Sequence, residues 1–371
     1  MGYWGTGWYK TKLKGEWEIA SRNDSTRTSK NIIKMKSIAV FNNKGGVGKT
    51  TLLCNVASFL SVKKGMRVLV VDADPQCNAS LYMLNDTEWT DVLRDYDNTS
   101  IYKIFEPVQN GEGYINRNDI PCYSSNGFGI DLIVGDTKLS IMEDFLSGDW
   151  ISGKAGESRG LKTTFLIHDL LKKIEDKYDF VFFDIGPSLG AINRVVLLAC
   201  DFFILPMSSD IFSIQALSNI STALKTWVNG INRGLQEYAE REGETFRLCG
   251  TDVSSDLKLL GYIYQQYTAK SIGGVTRPVM AYERILQEVP STIERELSNM
   301  VIPNISIDEL CLGSIPNFNS LIPMSQTANK PVFLLGSSDG IVGAHFSKVR
   351  EYENVMENIV SNLLHNIEKY D

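Results

Sequence analysis

From residue 35 onward the chain alternates between two hydrophobic rhythms. Short apolar runs at 37–42, 67–71, 129–134, 180–183, 202–205 and 259–264 are near-continuous in Val, Ile, Leu and Phe. Between them lie stretches with helical spacing. The first, 50–63, carries Leu52, Leu53, Val56, Ala57 and Leu60 on one face, and 138–145 and 161–176 follow the same period. Strands apolar on both faces and separated by helices predict an α/β domain with a doubly wound, mainly parallel sheet covered by helices on both faces. The closing stretch, 342–369, repeats Val349, Tyr352, Val355, Met356, Ile359, Val360, Leu363 and Leu364, and reads as a last helix packed on that sheet. The Gly/Ser-rich segment 147–160 reads as a surface loop, and 240–258 as a polar excursion.

Composition narrows this picture. The chain has 371 residues, 43% hydrophobic and 22% charged, enough to bury a sizeable core. A length prior of roughly 150 residues per domain suggests two or three domains. The strand–helix rhythm instead reads as one domain over 35–371, enlarged by insertions near 85–128, 147–160 and 240–300. Residues 1–34 differ in character: they hold Trp4, Trp8 and Trp17 and a polar run, and a chain could begin at Met35. They are expected to be a basic extension, either a disordered arm or a segment outside the native start. Residues 1–36 hold eight Lys/Arg against three Asp/Glu, so 37–371 is more acidic than the whole chain's net −7. Bulk charge therefore argues against a nucleic-acid binder, and any such role needs a local patch. None of the six cysteines forms a C-x-x-C pair and the three histidines lie far apart, which disfavours zinc, redox and iron–sulfur chemistry. No apolar run reaches the roughly 18–20 residues of a membrane helix, and the expected location is the cytoplasm, with a nucleoid association if DNA is bound.

The candidate chemistry follows the first strand, in Asn43-Lys44-Gly45-Gly46-Val47-Gly48-Lys49-Thr50-Thr51, which opens directly into a helix. Glycines let successive backbone N–H groups turn inward, and the helix N-terminus adds partial positive charge, so the segment suits phosphate. Lys49 can reach β/γ-phosphates and the Thr50 hydroxyl can ligate Mg²⁺. Asn43 occupies the first glycine position of the simple phosphate-loop pattern, and Lys44 adds a second lysine.

This segment resembles the deviant Walker A signature of ParA/MinD-type ATPases, and most closely that of ParA-type partition ATPases. The run Val71-Asp72-Ala73-Asp74-Pro75-Gln76-Cys77-Asn78-Ala79-Ser80 resembles that family's second motif. Tyr178-Asp179 through Asp184-Ile185-Gly186-Pro187-Ser188-Leu189-Gly190 resembles its switch segment, and Ile315-Pro316-Asn317 through Lys330-Pro331-Val332 its C-terminal region. The resemblance covers nearly all of 37–371 and implies a P-loop NTPase fold and hydrolysis of ATP to ADP and phosphate. It implies a homodimer formed on binding ATP and Mg²⁺ and undone by hydrolysis, with a stimulating partner protein. Nucleotide contacts fall on Lys44, Gly45, Gly46, Val47, Gly48, Lys49, Thr50 and Thr51. Lys49 would hold its own ATP, and Lys44 would cross to the partner's phosphates. Asp74 matches the carboxylate that positions the attacking water. Thr50, Asp72 and Asp184 would serve the Mg²⁺ shell, and Gly186 and Pro187 the switch.

Two departures matter. Gly186 stands where the family usually has proline, which loosens the switch backbone. Two arginines tied to non-specific DNA binding have no counterpart: Asn317 replaces one, and only Lys270 can stand in for the other. Lys270, Arg277, Arg284, Lys348 and Arg350 remain as candidate DNA contacts. A membrane role is disfavoured, because the last helix carries Glu351, Glu353, Glu357 and Glu368 on its polar side. The leading expectation is a ParA-like ATPase for plasmid or chromosome partition or cargo positioning. The second is a nucleotide switch read by a protein partner, as in phage defence or secretion. A metabolic P-loop ligase comes third, with Lys44 arguing against it.

Overall fold

The computed structural model describes residues 8–13, 16–21, 34–208, 210–267, 269–272, 275–278, 280–318 and 320–371. The chain divides into two compact units, Met1–Lys34 and Met35–Asp371. In the first, Trp8–Leu13 and Glu16–Ser21 pair as an antiparallel ribbon. The expected order or disorder of the remaining residues up to 33 lies outside the described residues.

The second unit is built on eight strands: β1 (Lys36–Val40), β2 (Val68–Asp72), β3 (Tyr123–Ser125), β4 (Ile130–Ile133), β5 (Phe180–Asp184), β6 (Phe202–Ser208), β7 (Lys258–Tyr267) and β8 (Cys311–Pro316). They form one sheet in the order β8-β7-β6-β1-β5-β2-β4-β3. Every pairing is parallel except β3 with β4, an antiparallel edge hairpin that the apolar pattern did not predict. Alternate residues face opposite sides, and both sides are core. Ile38, Val70, Phe182 and Ile204 enter one apolar layer, while Ala39, Leu69, Phe183 and Phe203 enter the other. Two-sided burial is why these strands read as continuous apolar runs.

Helices α1 (Lys49–Val62) and α8 (His345–Tyr370) cover the first face. On α8, Val349, Tyr352, Met356, Ile359, Val360 and Leu363 are buried, as the periodicity predicts, while Val355 and Leu364 at the edge of the stripe are half-buried against the same layer. The short α2 (Asn78–Met83) follows β2. The second face carries α3 (Leu139–Lys154), α4 (Leu166–Ile174), α5 (Ala191–Ala199), α6 (Ile211–Glu242) and α7 (Met280–Leu297).

The expected surface loop at 147–160 is not one. Helix α3 runs on to Lys154, and a further helix spans Ser158–Thr164. Its glycines serve close packing. A Cβ on Gly160 would lie 2.1 Å from the Gly153 nitrogen, and one on Gly234 of α6 would lie 2.1 Å from the Gly153 carbonyl oxygen. Buried Leu146 and Trp150 anchor the segment, so tertiary packing overrides the low helix propensity of glycine. In the 85–128 insertion, Asp86–Leu93, Tyr96–Thr99 and Tyr102–Gln109 are also helical. No helix among the described residues is long and apolar enough to cross a membrane.

Candidate functional site

The site forms at the C-terminal ends of β1, β2 and β5, where a doubly wound sheet opens a crevice. From β1 the chain turns through 41–48 into α1. Gly46 and Gly48 take φ of 73° and 72°, the left-handed region that glycine enters without strain. Asn42 braces the turn: its Nδ2 donates to the Pro206 carbonyl at 2.8 Å and its Oδ1 accepts from the Lys44 amide at 2.9 Å. Val47 is buried, whereas Gly45 and Gly46 are exposed. Gln265 on β7 lies against the loop, its Nε2 donating to the Gly48 carbonyl at 3.3 Å.

Lys49 begins α1 and is 8% exposed, with Nζ donating to the Lys44 carbonyl at 3.2 Å. Burial lowers its pKa, and Asp184 and Asp74 act against that shift. Thr50 Oγ1 donates to Asp184 Oδ2 at 2.8 Å. Parallel pairing sets Asp72 directly beside Asp184. Asp72 Oδ2 accepts from the Ser80 amide at 2.8 Å and the Ser80 hydroxyl at 2.6 Å. Burial raises the pKa of both carboxyls, and the nearby charge of Asp72 raises Asp184 further. Asp72 Oδ1 and Asp184 Oδ1 are buried and have no partner.

Two orphaned carboxylate oxygens on buried side chains are costly unless a cation meets them. Hard oxygen donors beside a threonine hydroxyl suit Mg²⁺, which takes only one or two carboxylates and fills its shell with phosphate and water. The residues therefore fit that ion. Among the described residues no three His, Cys, Asp or Glu converge to form a cage made by protein alone.

Asp74 lies just beyond the end of β2 and is 7% exposed, with Oδ1 accepting from the Gln76 amide at 3.0 Å. Gly186 faces it. A Cβ at Gly186 would stand 3.3 Å from Asp74 Oδ1, so the glycine leaves room beside that carboxylate. Gly186 is buried and Pro187 exposed. Asn193 of α5 holds this segment, its Nδ2 donating to the Gly186 carbonyl at 2.7 Å and the Ser188 carbonyl at 2.6 Å.

Lys44 turns toward its own chain. Its Nζ bonds Ser208 Oγ at 3.0 Å and forms an ion pair with Asp210, and Ser208 Oγ donates to Asp210 Oδ2 at 2.7 Å. Ser208 and Asp210, like Asn193, carried no signal in the sequence. They are short polar residues at strand and helix ends, and only the parallel neighbour relation of β6 and β1 brings the first two to Lys44.

The proposed DNA contacts are not drawn together in this way. Lys270 and Arg277 are register partners in an antiparallel ribbon, Ala269–Ile272 with Val275–Pro278. Their side chains, and that of Arg284, lie outside the described residues. Lys348 is paired with Glu351 at 2.6 Å, and Arg350 is exposed on α8.

A glycine-rich turn into a helix, with a buried lysine, a threonine on a strand-end aspartate and a second aspartate alongside, defines the class: a P-loop nucleotide site. The AAA_31 family (AAA domain) matches residues 35–237, and the chain belongs to that family. Its likeness is to ParA-type ATPases. The chromosome partitioning protein ParA of Caulobacter vibrioides is 25% identical over 204 residues, 54% of this chain and 67% of that protein. The crystal structure of protein DIP2308 from Corynebacterium diphtheriae is 33% identical, with a TM-score of 0.66, covering 80% of this chain and 97% of that one. A variant of Cyanothece McdA in complex with ATP shares the fold at 15% identity and a TM-score of 0.57, covering 89% of this chain and 96% of that one.

Proposed function

We propose that the protein is a ParA-like ATPase that hydrolyses ATP to ADP and phosphate and cycles between an ATP-bound homodimer and a monomer. The observation that carries this reading is the pair of buried, partnerless carboxylate oxygens on Asp72 and Asp184 beside Thr50 and Lys49. In this reading the 45–51 backbone and the start of α1 cradle the phosphates, and Lys49 neutralises their β/γ oxygens. Gln265, Pro316 and Phe318, which wall a cavity beside Gly48 and Thr51, take the nucleoside. Thr50, Asp184 and Asp72 hold Mg²⁺, which when bound offsets charge on the phosphates. Asp74 accepts a hydrogen bond from the attacking water and orients it, in the space Gly186 leaves open.

Lys44 supplies the dimer dependence. In the monomer it is held by Asp210 and Ser208. In the dimer it exchanges those partners for the γ-phosphate of the facing subunit, where a cation added in trans stabilises transition-state charge. The protein works in the cytoplasm with a stimulating partner protein. Its dimer serves partition or cargo positioning.

Gel filtration of wild type and Asp74→Ala with ATP and Mg²⁺, with and without DNA, tests this reading alongside phosphate release. A nucleotide-dependent dimer, more persistent in Asp74→Ala, is expected, with Lys49→Ala inactive. A chain that neither dimerises nor releases phosphate overturns the reading. A dimer that shifts on DNA, with an affinity that falls steeply with salt, adds a DNA contact to this reading.

A further inference from the structure

We infer that Glu143 is a positioning residue for hydrolysis, acting through the switch segment rather than on substrate. The inference rests on the ATPase reading above. Residues 186–190 carry no regular structure and join β5 to α5. At their far end α5 starts from Gly190, which has no side chain to cap the first helical amides. Glu143 reaches across from α3 to do so: Oε2 accepts from the Ala191 amide at 2.6 Å and Oε1 from the Ile192 amide at 3.4 Å. A carboxylate at a helix N-terminus meets both the free amides and the positive end of the helix dipole.

Gly190 is what admits that carboxylate. A Cβ there would lie 2.6 Å from Glu143 Oε1 and 3.0 Å from Oε2. Its φ of −82° is open to any residue, so the need is for space and not for backbone freedom. One turn into α5, Asn193 grips the Gly186 and Ser188 carbonyls, and Gly186 borders the Asp74 carboxylate. The start of α5 therefore sets where the switch lies beside Asp74, and Glu143 sets the start of α5. Arg194 strengthens the link, its guanidinium lying 4.4 Å from the centre of the Trp150 ring on α3. The hydrogen bonds of Glu143 go to the first amides of α5 and not to the phosphate loop or the strand-end carboxylates, so its influence falls on the rate and not on nucleotide affinity.

The test compares Glu143→Ala, Glu143→Gln, Gly190→Ala and the Glu143→Ala/Gly190→Ala double variant, measuring phosphate release, mant-ATP affinity and melting temperature. Losing a charge-assisted cap is expected to lower turnover about tenfold in Glu143→Ala, with mant-ATP affinity within about twofold of wild type. Glu143→Gln keeps an acceptor oxygen and loses less, about threefold. Gly190→Ala displaces the carboxylate and reproduces the Glu143→Ala loss. In the double variant the methyl enters vacated space, so the two losses do not add.

Wild-type turnover in Glu143→Ala overturns the inference, as do additive losses in the double variant. A parallel fall in affinity and melting temperature also overturns it, since that marks a purely structural residue. If wild-type protein itself releases no phosphate, the ATPase reading fails separately. The positioning is then read from amide hydrogen exchange over 186–192, faster in Glu143→Ala than in wild type, and equal exchange overturns it.

Discussion

The two ends of α1 carry lysines in opposite circumstances. At its N-terminus Lys49 is buried, its pKa lowered by burial, and it opposes the positive end of the helix dipole. At its C-terminus Lys63 pairs with Glu353 at 2.6 Å and Lys64 pairs with Glu357, both partners on α8. The C-terminal pair agrees with every local rule: cations near a helix C-terminus, at least partly open to solvent, and matched by acid. The N-terminal lysine breaks those rules and is tolerated because Asp184 and Asp74 stand in front of it. A charge that costs stability where it sits is a charge kept for a ligand. The same contrast separates Asp184, buried with a partnerless oxygen, from Glu357, exposed with its pKa lowered by Lys64.

Four measurements break or sharpen this contrast. Lys49→Ala should lower phosphate release by about 10³-fold, the scale of losing a cation at a transferring phosphoryl group. Its melting temperature without nucleotide should hold or rise; a clear fall would mean that Lys49 serves the fold. Asp184→Asn should cost about 10²-fold in turnover. It should also raise the melting temperature of the metal-free protein, because it removes a buried carboxylate that burial and Asp72 both disfavour as an anion. Gly186→Ala should leave mant-ATP affinity intact and lower turnover severalfold, about 1 kcal/mol of barrier, as its methyl crowds Asp74. Unchanged turnover would show that Asp74 has room to spare. The smallest effect belongs to the other end. Lys63→Ala and Lys64→Ala should each change stability by less than about 1 kcal/mol, vanishing at high salt, with turnover unaltered.

The phosphate turn was legible in the sequence because its chemistry is local. Gly46, Gly48, Lys49 and Thr50 lie within a few residues of one another, between a strand and a helix that their own apolar periods announce. Asp72 and Asp184 were legible as strand ends, since each closes an uninterrupted apolar run. The misreading of 147–160 has a physical cause. Glycines at 153 and 160 look like loop residues until the helix approach that requires them is known, and that approach involves Gly234, far along the chain. The capping role of Glu143 was not legible, because the amides it caps belong to α5.

By its own pattern the sequence determined a two-sided parallel sheet, the place of the phosphate turn at the end of its first strand, and the residue types gathered there. Those depend on short-range spacing and on the burial that spacing demands. Only the tertiary structure decided which charges are active and which are neutralised. It paired Lys63 and Lys64 with α8, gave Lys44 to Asp210, set two carboxylates edge to edge with an oxygen each unmatched, and brought Glu143 to the first turn of α5. Each of these joins residues from separate elements, and the strength of a charge follows from its burial and its partners, which no stretch of sequence contains by itself.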